Sequence, residues 1–451
     1  MNTALVILAA GMGTRMNSDL PKVLHEIAGA PLLIHAMKSG AALDPEKQVI
    51  VTGHGADLVT RAAQGWDDRA EVVLQEEQLG TAHAVLQARA ALADFDGDVI
   101  VLYGDTPFIQ PETIAHMVEA RQHHDVVVLG FEAADPGRYG RLILQGDRLE
   151  KIVEFKDTTD QERAITLCNS GVVAANSKIL FALLDKVGND NSAGEYYLTD
   201  IIGLARSEGL SATAVTCDEA ETLGVNSRAE LAAAEAAFQA RARADALANG
   251  VTLTAPETVF FAHDTVIGRD TVIEPNVMFG PDATVESGAR IRAFSHLEGC
   301  HVSRGATVGP FARLRPGAEL AEDVHIGNFV EIKNAVLDAG AKVNHLSYIG
   351  DAHIGEKSNI GAGTITCNYD GVMKHKTEIG ANAFIGSNTM LVAPVRVGNR
   401  AMTGSGSVIT ADVEDDALAI ARGTQVNKPG LAAKLREILK AKKAKRDKEA
   451  G

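Results

Sequence analysis

Two glycines and two cations lie close together just after the first apolar run of the chain. The segment LAAGMGTRM places Gly11 and Gly13 in a turn, and Arg15 and Lys22 follow. Glycines let backbone amides approach a phosphate closely, and cations balance its charge. A dinucleotide-binding fingerprint would need a third glycine where Met16 stands, and a Walker loop would need Gly-Lys-Ser/Thr. The turn therefore predicts a phosphate-binding site that is neither a dinucleotide-binding fingerprint nor a Walker loop.

A second group of residues that could do chemistry lies in the C-terminal half. His345 and Tyr348 are three residues apart in VNHLSYIG, Arg315 stands in RLRPG, and Lys333 stands in EIKNA. Imidazole titrates near physiological pH and can take a proton from an amine. Guanidinium and ammonium groups bind phosphate oxygens. Each residue alone also fits a solvated surface position, so the combination rather than any one residue predicts a general base beside an anion site.

The elements that must position the first group alternate between strands and helices. Helical patterns occur at Thr81–Leu92 and Pro111–His123. Near-continuous apolar runs predict strands that are covered on both faces. These runs are Thr3–Ala9, Gln48–Thr52, Val72–Gln75, Val99–Tyr103 and Val126–Phe131. Strand–helix alternation predicts an α/β domain with a mostly parallel sheet.

A long helix is expected after this domain. Ser227–Asn249 is rich in Ala, Glu and Arg and holds no helix breaker before Asn249 and Gly250, which form a C-cap signal. The composition is typical of a semi-rigid spacer.

From residue 250 onward the apolar positions recur every six residues. A six-residue period fits neither a helix nor a hairpin strand, and it predicts a triangular solenoid with an aliphatic side chain inside each short side. The segment Cys367–Glu378 breaks the frame and predicts a projecting loop. The repeating positions are Ile267, Ile273, Phe279, Val285, Ile291, Leu297, Val302, Val308, Leu314, Leu320, Ile326, Ile332, Leu337, Val343, Ile349, Ile379, Ile385, Leu391 and Val397.

Charge and cysteine content narrow the function classes. A formal charge of −16 argues against a nucleic-acid binder, and the basic run Lys434–Lys448 is interpreted as a solvated tail. The four cysteines are far apart with no CxxC pair, which predicts reduced thiols and no zinc site. The opening apolar run is too short to span a bilayer and lacks a basic start, so no membrane span and a cytoplasmic location are expected.

The first half resembles the nucleotidyltransferases that make nucleotide sugars. GMGTRMNSDLPK is very close to their G-x-G-T/S-R-M…P-K signature. The resemblance implies that the loop binds the triphosphate of the nucleotide, through Leu8, Ala9, Ala10 and Gly11. It also implies that Arg15 and Lys22 act in catalysis, because they stabilise charge while a sugar phosphate attacks the α-phosphorus.

Further segments match the same family in the same order along the chain. QEEQLGTAHA, YGDTP, YGR, VEFKD, CNSG and GVNSR carry these matches. Asp105 alone would fit a helix cap as well, but six ordered matches favour the functional interpretation. The resemblance implies Gln75, Gly80 and Thr81 at the pyrimidine base and Gly140, Glu154 and Asn169 at the transferred sugar. It further implies that Tyr103 and Gly104 bind UTP or the UDP-sugar and that Asp105 and Asn226 are ligands of Mg²⁺.

The second half resembles hexapeptide-repeat acyltransferases, and the whole chain resembles the family of bifunctional enzymes that make UDP-N-acetylglucosamine. This resemblance implies a left-handed parallel β-helix, with His345 as the base that deprotonates glucosamine 1-phosphate. It implies Arg315, Lys333, Tyr348 and Asn359 at the sugar phosphate. Acetyl-CoA contacts are implied for Ala362, Asn368, Tyr369, Ser387, Ser405 and Arg422, of which Asn368 and Tyr369 would also position the sugar.

The implied organisation is a uridylyltransferase domain at 1–228, a helical linker at 229–249 and an N-acetyltransferase domain with a basic tail at 250–451. The implied activity is acetyl transfer from acetyl-CoA followed by uridylyl transfer from UTP. Two alternatives stay open: a mannose- or glucose-1-phosphate nucleotidyltransferase with a merely structural solenoid, and a regulatory scaffold without activity. Related acyltransferases form trimers with active sites between subunits, so a homotrimer is expected.

Overall fold

The computed structural model describes residues 2–191 and 193–449, which divide into two compact units. The first unit holds the chain up to Asn249 together with Pro256–Thr265 and Phe279–Asp282. The second unit holds Gly250–Ala255, Val266–Met278 and the chain from Ala283 onward.

A central sheet organises the first unit, in the order β11-β7-β10-β6-β1-β4-β5. Its neighbours pair in parallel except β10, which runs antiparallel to both β6 and β7. Together with the hairpin β8–β9 and the short pair β2–β3, the strands are β1 Thr3–Ala9, β2 Glu26–Ile27, β3 Ala30–Pro31, β4 Lys47–Thr52, β5 Glu71–Leu74, β6 Asp98–Tyr103, β7 Val126–Glu132, β8 Arg141–Gln145, β9 Arg148–Val153, β10 Leu167–Asn176 and β11 Ala212–Cys217.

Helices cover both faces of this sheet, as the continuous apolar runs predict. Val6 of β1 packs in one hydrophobic cluster, and its neighbours Leu5 and Ile7 pack in the other. Alternate side chains therefore fill two cores. The helices are α1 Leu32–Ala41, α2 Ala56–Trp66, α3 Thr81–Leu86, α4 Pro111–Ala120, α5 Asp160–Arg163, α6 Ser177–Leu184, α7 Asp200–Ser207 and α8 Arg228–Ala248.

The mostly parallel α/β fold is confirmed, and the five predicted strands agree with the observed ones to within one residue at each end. The prediction of a helix over Thr81–Leu92 was wrong in its second half. The α-helix ends at Leu86, and a 3₁₀ turn follows over Gln87–Arg89. The antiparallel strand β10 escaped prediction because its NSG segment interrupts the apolar run and carries a register shift between Asn169 and Val173.

The predicted long helix is α8, which begins after Ser227 and ends before Asn249. The Ser227 hydroxyl accepts a hydrogen bond from the Glu230 amide, which caps the first turn. One side of α8 packs on the first unit through Leu231 and Ala234, and the buried Gln239 bonds to the backbone of Phe261 at 2.7 and 2.9 Å. The helix is thus part of the first unit rather than a separate linker.

The second unit is a three-sided parallel β-helix, as the six-residue period predicts. Each short strand pairs in parallel with the strand one coil further on, so its sheets have 10 and 14 strands, and the longer strands β24 and β26 turn a corner. The strands are β12 Thr252–Leu253, β13 Val266–Ile267, β14 Val272–Ile273, β15 Met278–Phe279, β16 Ala283–Val285, β17 Arg290–Ile291, β18 His296–Leu297, β19 Cys300–Val302, β20 Thr307–Val308, β21 Arg313–Leu314, β22 Ala318–Leu320, β23 His325–Asn328, β24 Glu331–Leu337, β25 Lys342–His345, β26 Tyr348–Ile354, β27 Asn359–Ile360, β28 Ile365–Cys367, β29 Thr377–Ile379, β30 Phe384–Ile385, β31 Met390–Val392, β32 Val395–Val397, β33 Met402–Thr403, β34 Val408–Ile409 and β35 Leu418–Ala419.

The repeating aliphatic side chains point inward and stack from coil to coil. All the predicted inward positions are buried except Ile267, which lies near the start of the solenoid and is partly exposed. Glycine after an inward position lets adjacent coils touch: a Cβ at Gly327 would lie 1.9 Å from the backbone oxygen of Asn344. The backbone of one coil therefore fixes the position of the next.

Left-handed backbone conformations mark the corners of the solenoid. At most corners the residue is Asp, Asn or Gly, which tolerate a positive φ. One corner instead carries Phe294, Phe311, Phe329 and Leu346 on successive coils, with φ between 51° and 60°. Their side chains are 45–61% exposed, and the three phenyl rings stack at 4.9 and 5.2 Å. We call this row the aromatic corner.

Two departures from the repeat follow the coil of His345. Asn368–Lys376 projects between β28 and β29 as a small hairpin, closed by the pair Tyr369–Lys374, where the sequence predicts a loop. At the C-terminus the basic run forms a helix, α9 Leu431–Glu449, whose described side chains are exposed. In the part of the chain that the structure describes, we find no helix with the length and apolar character that a bilayer span requires.

Candidate active sites

A cavity of about 330 Å³ opens at the carboxyl ends of β1 and β6 in the first unit. Loops at this edge of a parallel sheet usually hold ligands. Most residues expected around the nucleotide line the cavity: Leu8, Ala9, Ala10, Gly11, Lys22, Gln75, Gly80, Thr81, Tyr103 and Asp105.

The glycine-rich turn holds Lys22 in place. Gly13 has φ 59°, and a Cβ there would lie 2.6 Å from the Cβ of Lys22, so a side chain at position 13 would push Lys22 away. The Lys22 ammonium donates to the carboxylate of Asp105 and, at 2.9 Å, to Oδ1 of Asn226. An ammonium group therefore lies between the two residues that the sequence suggests as metal ligands, which shows that their oxygens converge on a cation.

Buried hydrogen bonds orient Gln75, the side chain expected to contact the pyrimidine base. Gln75 is almost fully buried, and its Nε2 lies 3.2 Å from the Gly80 oxygen and 3.0 Å from Nδ1 of His83. A side-chain amide fixed in this way presents a set hydrogen-bonding pattern to a planar base. Gln78, which the sequence analysis did not single out, bonds to the Ala10 oxygen at 2.7 Å and lines the same cavity.

A second cavity of about 360 Å³ adjoins the first and shares Thr81 and Tyr103 with it. Glu154 and Asn169 line it, as expected for the transferred sugar. Burial raises the pKa of Glu154, against the effect of a 3.2 Å hydrogen bond from Thr199. Burial also raises the pKa of Tyr103, and the charges of Asp105 and Glu154 add to this.

Four expected residues lie beside these cavities rather than on their lining. Gly140 accepts a hydrogen bond from the Asn169 amide at 2.8 Å, and a Cβ at Gly140 would come within 3.6 Å of the Glu154 carboxylate. The Gly104 amide donates to the Leu8 oxygen. Asn226 accepts a hydrogen bond from Lys22, which itself lines the first cavity. Arg15 is exposed on the glycine-rich turn and does not line either cavity.

Glu195, which was not predicted from the sequence, lines both of these cavities. Its loop is held by backbone hydrogen bonds between Tyr196 and residues Leu79 and Ala82, at 2.8 and 2.9 Å. The segment around Glu195 carries no motif, so only the fold reveals its position.

In the second unit, His345 ends β25 just before a corner. Its Nδ1 lies 2.9 Å from Oδ1 of Asn328 on the preceding coil. Both residues line a cavity of about 390 Å³ whose walls include Arg292, Phe311 and Phe329. Tyr348 begins β26 on the other side of the corner, three residues after His345.

Four of the six residues expected to contact acetyl-CoA, namely Ala362, Ser387, Ser405 and Arg422, form a row that continues from His345 along the coils. Backbone hydrogen bonds join consecutive members through the residue that follows each one. The amide of Gly363, next to Ala362, donates to the His345 oxygen, and the amide of Asn388, next to Ser387, donates to the Ala362 oxygen at 2.7 Å. Gly406 then donates to the Ser387 oxygen at 2.8 Å. Arg422 completes the row by donating to the Ser405 oxygen at 2.6 Å. We call this row, His345–Ala362–Ser387–Ser405, the corner ladder.

Cations gather on the face next to the corner. Arg315 bonds to Glu331 at 2.8 Å, and this carboxylate raises the pKa of Arg315. Lys374 of the projecting loop lies against Lys333, whose ammonium lowers the pKa of Lys374. Adjacent ammonium groups repel unless an anion joins them, so the face is suited to a phosphate.

The remaining expected residues have different surroundings. The buried Asn368 donates to Asp351, which also accepts from Asn334. Burial opposes ionisation of Asp351, but these amide donors lower its pKa overall. Asn368 thus anchors the projecting loop, while Tyr369 is 60% exposed on that loop. Asn359 lies on the 10-stranded sheet, opposite Lys342, and not on the face of Arg315 and Lys333.

Comparison with known proteins identifies both halves. The MobA-like NTP transferase domain matches residues 5–171, and the bacterial transferase hexapeptide family (six repeats) matches residues 264–299 and 376–411. Each match lies on the segment that carries the corresponding site or fold.

Relatives match over the whole length. The bifunctional protein GlmU of Ruegeria sp. (strain TM1040) is 73% identical over 99% of this chain and 100% of its own length. That of Ruegeria pomeroyi is 72% identical over 100% of both chains. That of Cereibacter sphaeroides (strain ATCC 17025 / ATH 2.4.3) is 70% identical over 97% of this chain and 96% of its own. These full-length matches show that the chain belongs to the GlmU family of bifunctional enzymes.

Proposed function

We propose that the chain makes UDP-N-acetylglucosamine in two steps. The second unit acetylates glucosamine 1-phosphate with acetyl-CoA, and the first unit couples the product to UTP with release of pyrophosphate. The observation that carries this proposal is the corner ladder beside the Lys333–Lys374 pair, in a chain that also holds the Lys22–Asp105–Asn226 group. A purely structural solenoid has no need for a base next to an anion site.

In the first unit, the sugar phosphate attacks the α-phosphorus of UTP and pyrophosphate leaves. Lys22 and Arg15 supply positive charge for the phosphoryl oxygens. Gln75 selects the base, and Glu154 and Asn169 hold the transferred sugar.

Mg²⁺ fits Asp105 and Asn226 because both offer oxygen, the donor atom that this ion prefers. Within residues 2–191 and 193–449 no group of three or more His, Cys, Asp or Glu side chains could hold a metal, so water and phosphate oxygens would complete the coordination. Bound Mg²⁺ would neutralise charge on the triphosphate. Lys22 must then exchange its two oxygen partners for phosphate.

In the second unit, the amine nitrogen of the sugar forms a bond to the thioester carbonyl carbon, and the C–S bond breaks with loss of the CoA thiolate. A sugar ammonium has no lone pair for this attack, so His345 takes its proton. Arg315, Lys333 and Lys374 hold the phosphate, Tyr348 orients the sugar, and Tyr369 of the projecting loop contacts acetyl-CoA.

We also propose a homotrimer and a cytoplasmic location. The aromatic corner supports the trimer, because bulky residues with positive φ and about half-exposed side chains are costly in a free monomer. Three such corners brought together by a threefold axis would bury the rings beside the His345 cavity. Four unpaired cysteines, Cys168, Cys217, Cys300 and Cys367, fit a reducing compartment.

A product assay with glucosamine 1-phosphate, acetyl-CoA, UTP and Mg²⁺ tests the proposal, with each component omitted in turn. The complete mixture should yield UDP-N-acetylglucosamine, and mixtures without acetyl-CoA should yield none. Supplying N-acetylglucosamine 1-phosphate should remove the need for acetyl-CoA. If uridylyl transfer occurs but glucosamine 1-phosphate is never acetylated, the chain is a single-activity nucleotidyltransferase with a structural solenoid.

A further inference from the structure

We infer that Asn328 is a positioning residue for His345: its carboxamide oxygen accepts the Nδ1 proton and leaves Nε2 as the basic nitrogen. The inference rests on the proposed acetyl transfer. It assigns a role to a side chain that lies one coil away from the base and that carries no motif of its own.

The backbone fixes this contact. β23 and β25 pair in register, so Asn328 lies opposite His345, and Oδ1 and Nδ1 are 2.9 Å apart. The amide of Leu346 donates to the Asn328 backbone oxygen at 3.1 Å. Because Gly327 lets the two coils touch at Asn344, neither strand can move away without breaking the stack. The amide and the imidazole are therefore held against each other before substrate binds.

The chemistry needs one defined tautomer. A neutral imidazole carries one N–H and one lone pair, and an acceptor at Nδ1 stabilises the form that has its lone pair on Nε2. Nε2 takes one proton from the sugar ammonium, which frees the lone pair that forms the C–N bond, and the second proton that the nitrogen loses on becoming an amide goes to the departing CoA thiolate. The resulting imidazolium keeps its Nδ1–H, which Asn328 continues to accept. The carboxamide thus serves both states of the base without gaining or losing a proton itself.

A neutral partner also distinguishes His345 from other histidines of the solenoid. His301 lies 2.9 Å from Glu286, His353 lies 2.9 Å from Asp338, and a carboxylate is 2.8 Å from His375. A carboxylate favours the imidazolium form, which has no lone pair to offer. A carboxamide orients the ring without that full negative charge. The other titratable or charged groups that line the cavity of His345 are Arg292 and His325, and among the described lining residues none is acidic.

Two variants test the inference in the full-length protein with glucosamine 1-phosphate and acetyl-CoA between pH 5.5 and 9. Asn328→Ala should lower kcat for acetyl transfer about tenfold, with KM changed less than twofold, because hydrogen-bond partners that orient a functional imidazole typically contribute at this level. Asn328→Asp should shift the acid limb of the kcat/KM profile upward by about one pH unit, because a carboxylate stabilises the imidazolium. At high pH Asn328→Asp should recover activity above Asn328→Ala.

Asp338→Asn is the matched control, because it makes the opposite exchange at His353, away from the corner ladder. It should leave the acetyl-transfer profile unchanged. Thermal unfolding followed by circular dichroism checks that each variant is folded. If the profiles of both Asn328 variants superimpose on that of the unmodified protein, the inference is overturned. If the unmodified protein never acetylates glucosamine 1-phosphate, the proposed function fails instead.

Discussion

In the first unit the reactive side chains come from segments that follow different strands, whereas in the second they recur at one place on successive coils. Lys22, Asp105 and Asn226 are separated by up to 204 residues and meet only because the sheet brings its loops together. The corner ladder is built by repetition, at intervals of 17, 25 and 18 residues from His345 to Ser405. A pocket of the first kind encloses its substrate. A row of the second kind offers an open edge, which suits a long cofactor.

The largest expected effects separate the two sites. Asp105→Ala should lower kcat/KM for uridylyl transfer by about 10³ and leave acetyl transfer within twofold, since preorganised charge at a phosphoryl centre is worth this much. His345→Ala should do the reverse. Measuring both reactions on each purified variant checks this pair. Loss of both activities in either folded variant would contradict the two-site comparison.

A smaller effect should show that coil contact holds the second unit together. Gly327→Ala places a methyl group 1.9 Å from the Asn344 oxygen, so we expect a loss of about 3 kcal/mol in the stability of the solenoid, at the upper end for overpacking. Gly288→Ala is the control: unlike Gly327 it has positive φ (73°), but a Cβ there meets no atom within 4 Å, so only backbone strain of about 1 kcal/mol is expected. Denaturant unfolding compares the two. Equal losses would show that coil contact does not matter.

Lys374 tests whether the projecting loop completes the anion site. Lys374→Ala should raise KM for glucosamine 1-phosphate about tenfold, since one charge-assisted contact to the phosphate is lost, with a smaller effect on kcat. Lys376→Ala, an exposed neighbour on the same loop, is the control. Steady-state kinetics at fixed acetyl-CoA measures both. A KM unchanged in Lys374→Ala would remove the loop from the site.

The smallest effect concerns the buried carboxyl of the sugar pocket. Because burial raises the pKa of Glu154 in the folded state, the folded protein holds this proton more tightly than the unfolded chain, and stability falls as pH rises above about 4.5. Glu154→Gln cannot ionise, so its Tm should match that of the unmodified protein at pH 4 and exceed it by a few degrees at pH 8. Scanning calorimetry at both pH values measures this. A Tm difference independent of pH would contradict the assignment.

Sequence patterns were sufficient to predict most of the architecture, because each fold repeats one unit: a strand and a helix in the first, and a six-residue side of a coil in the second. The apolar period predicted nearly every inward position of the solenoid, and continuous apolar runs predicted β1, β4, β5, β6 and β7. The exceptions are local. At Leu86 the helix ends without glycine or proline to announce it, and at β10 a polar NSG segment hides a central strand.

Motifs in the sequence pointed to side chains that the structure brings together, but they could not point to residues that only the fold places nearby. Lys22 and Asp105 stand in short signatures, and the structure brings them together. Asn328, Lys374 and Glu195 could not be found in the same way. Coil register places the first, a charge contact across the projecting loop places the second, and a folded-back loop places the third.

The number of coils in the corner ladder sets the length of the row. Adjacent coils of stacked strands are about 4.8 Å apart, so the three steps from His345 to Ser405 span about 14 Å. One added coil of about 18 residues, inserted beyond Ala362, would lengthen this edge by a single step and leave the base untouched. The length of such a site can therefore change only in steps of one coil, and each step leaves the surroundings of His345 unchanged.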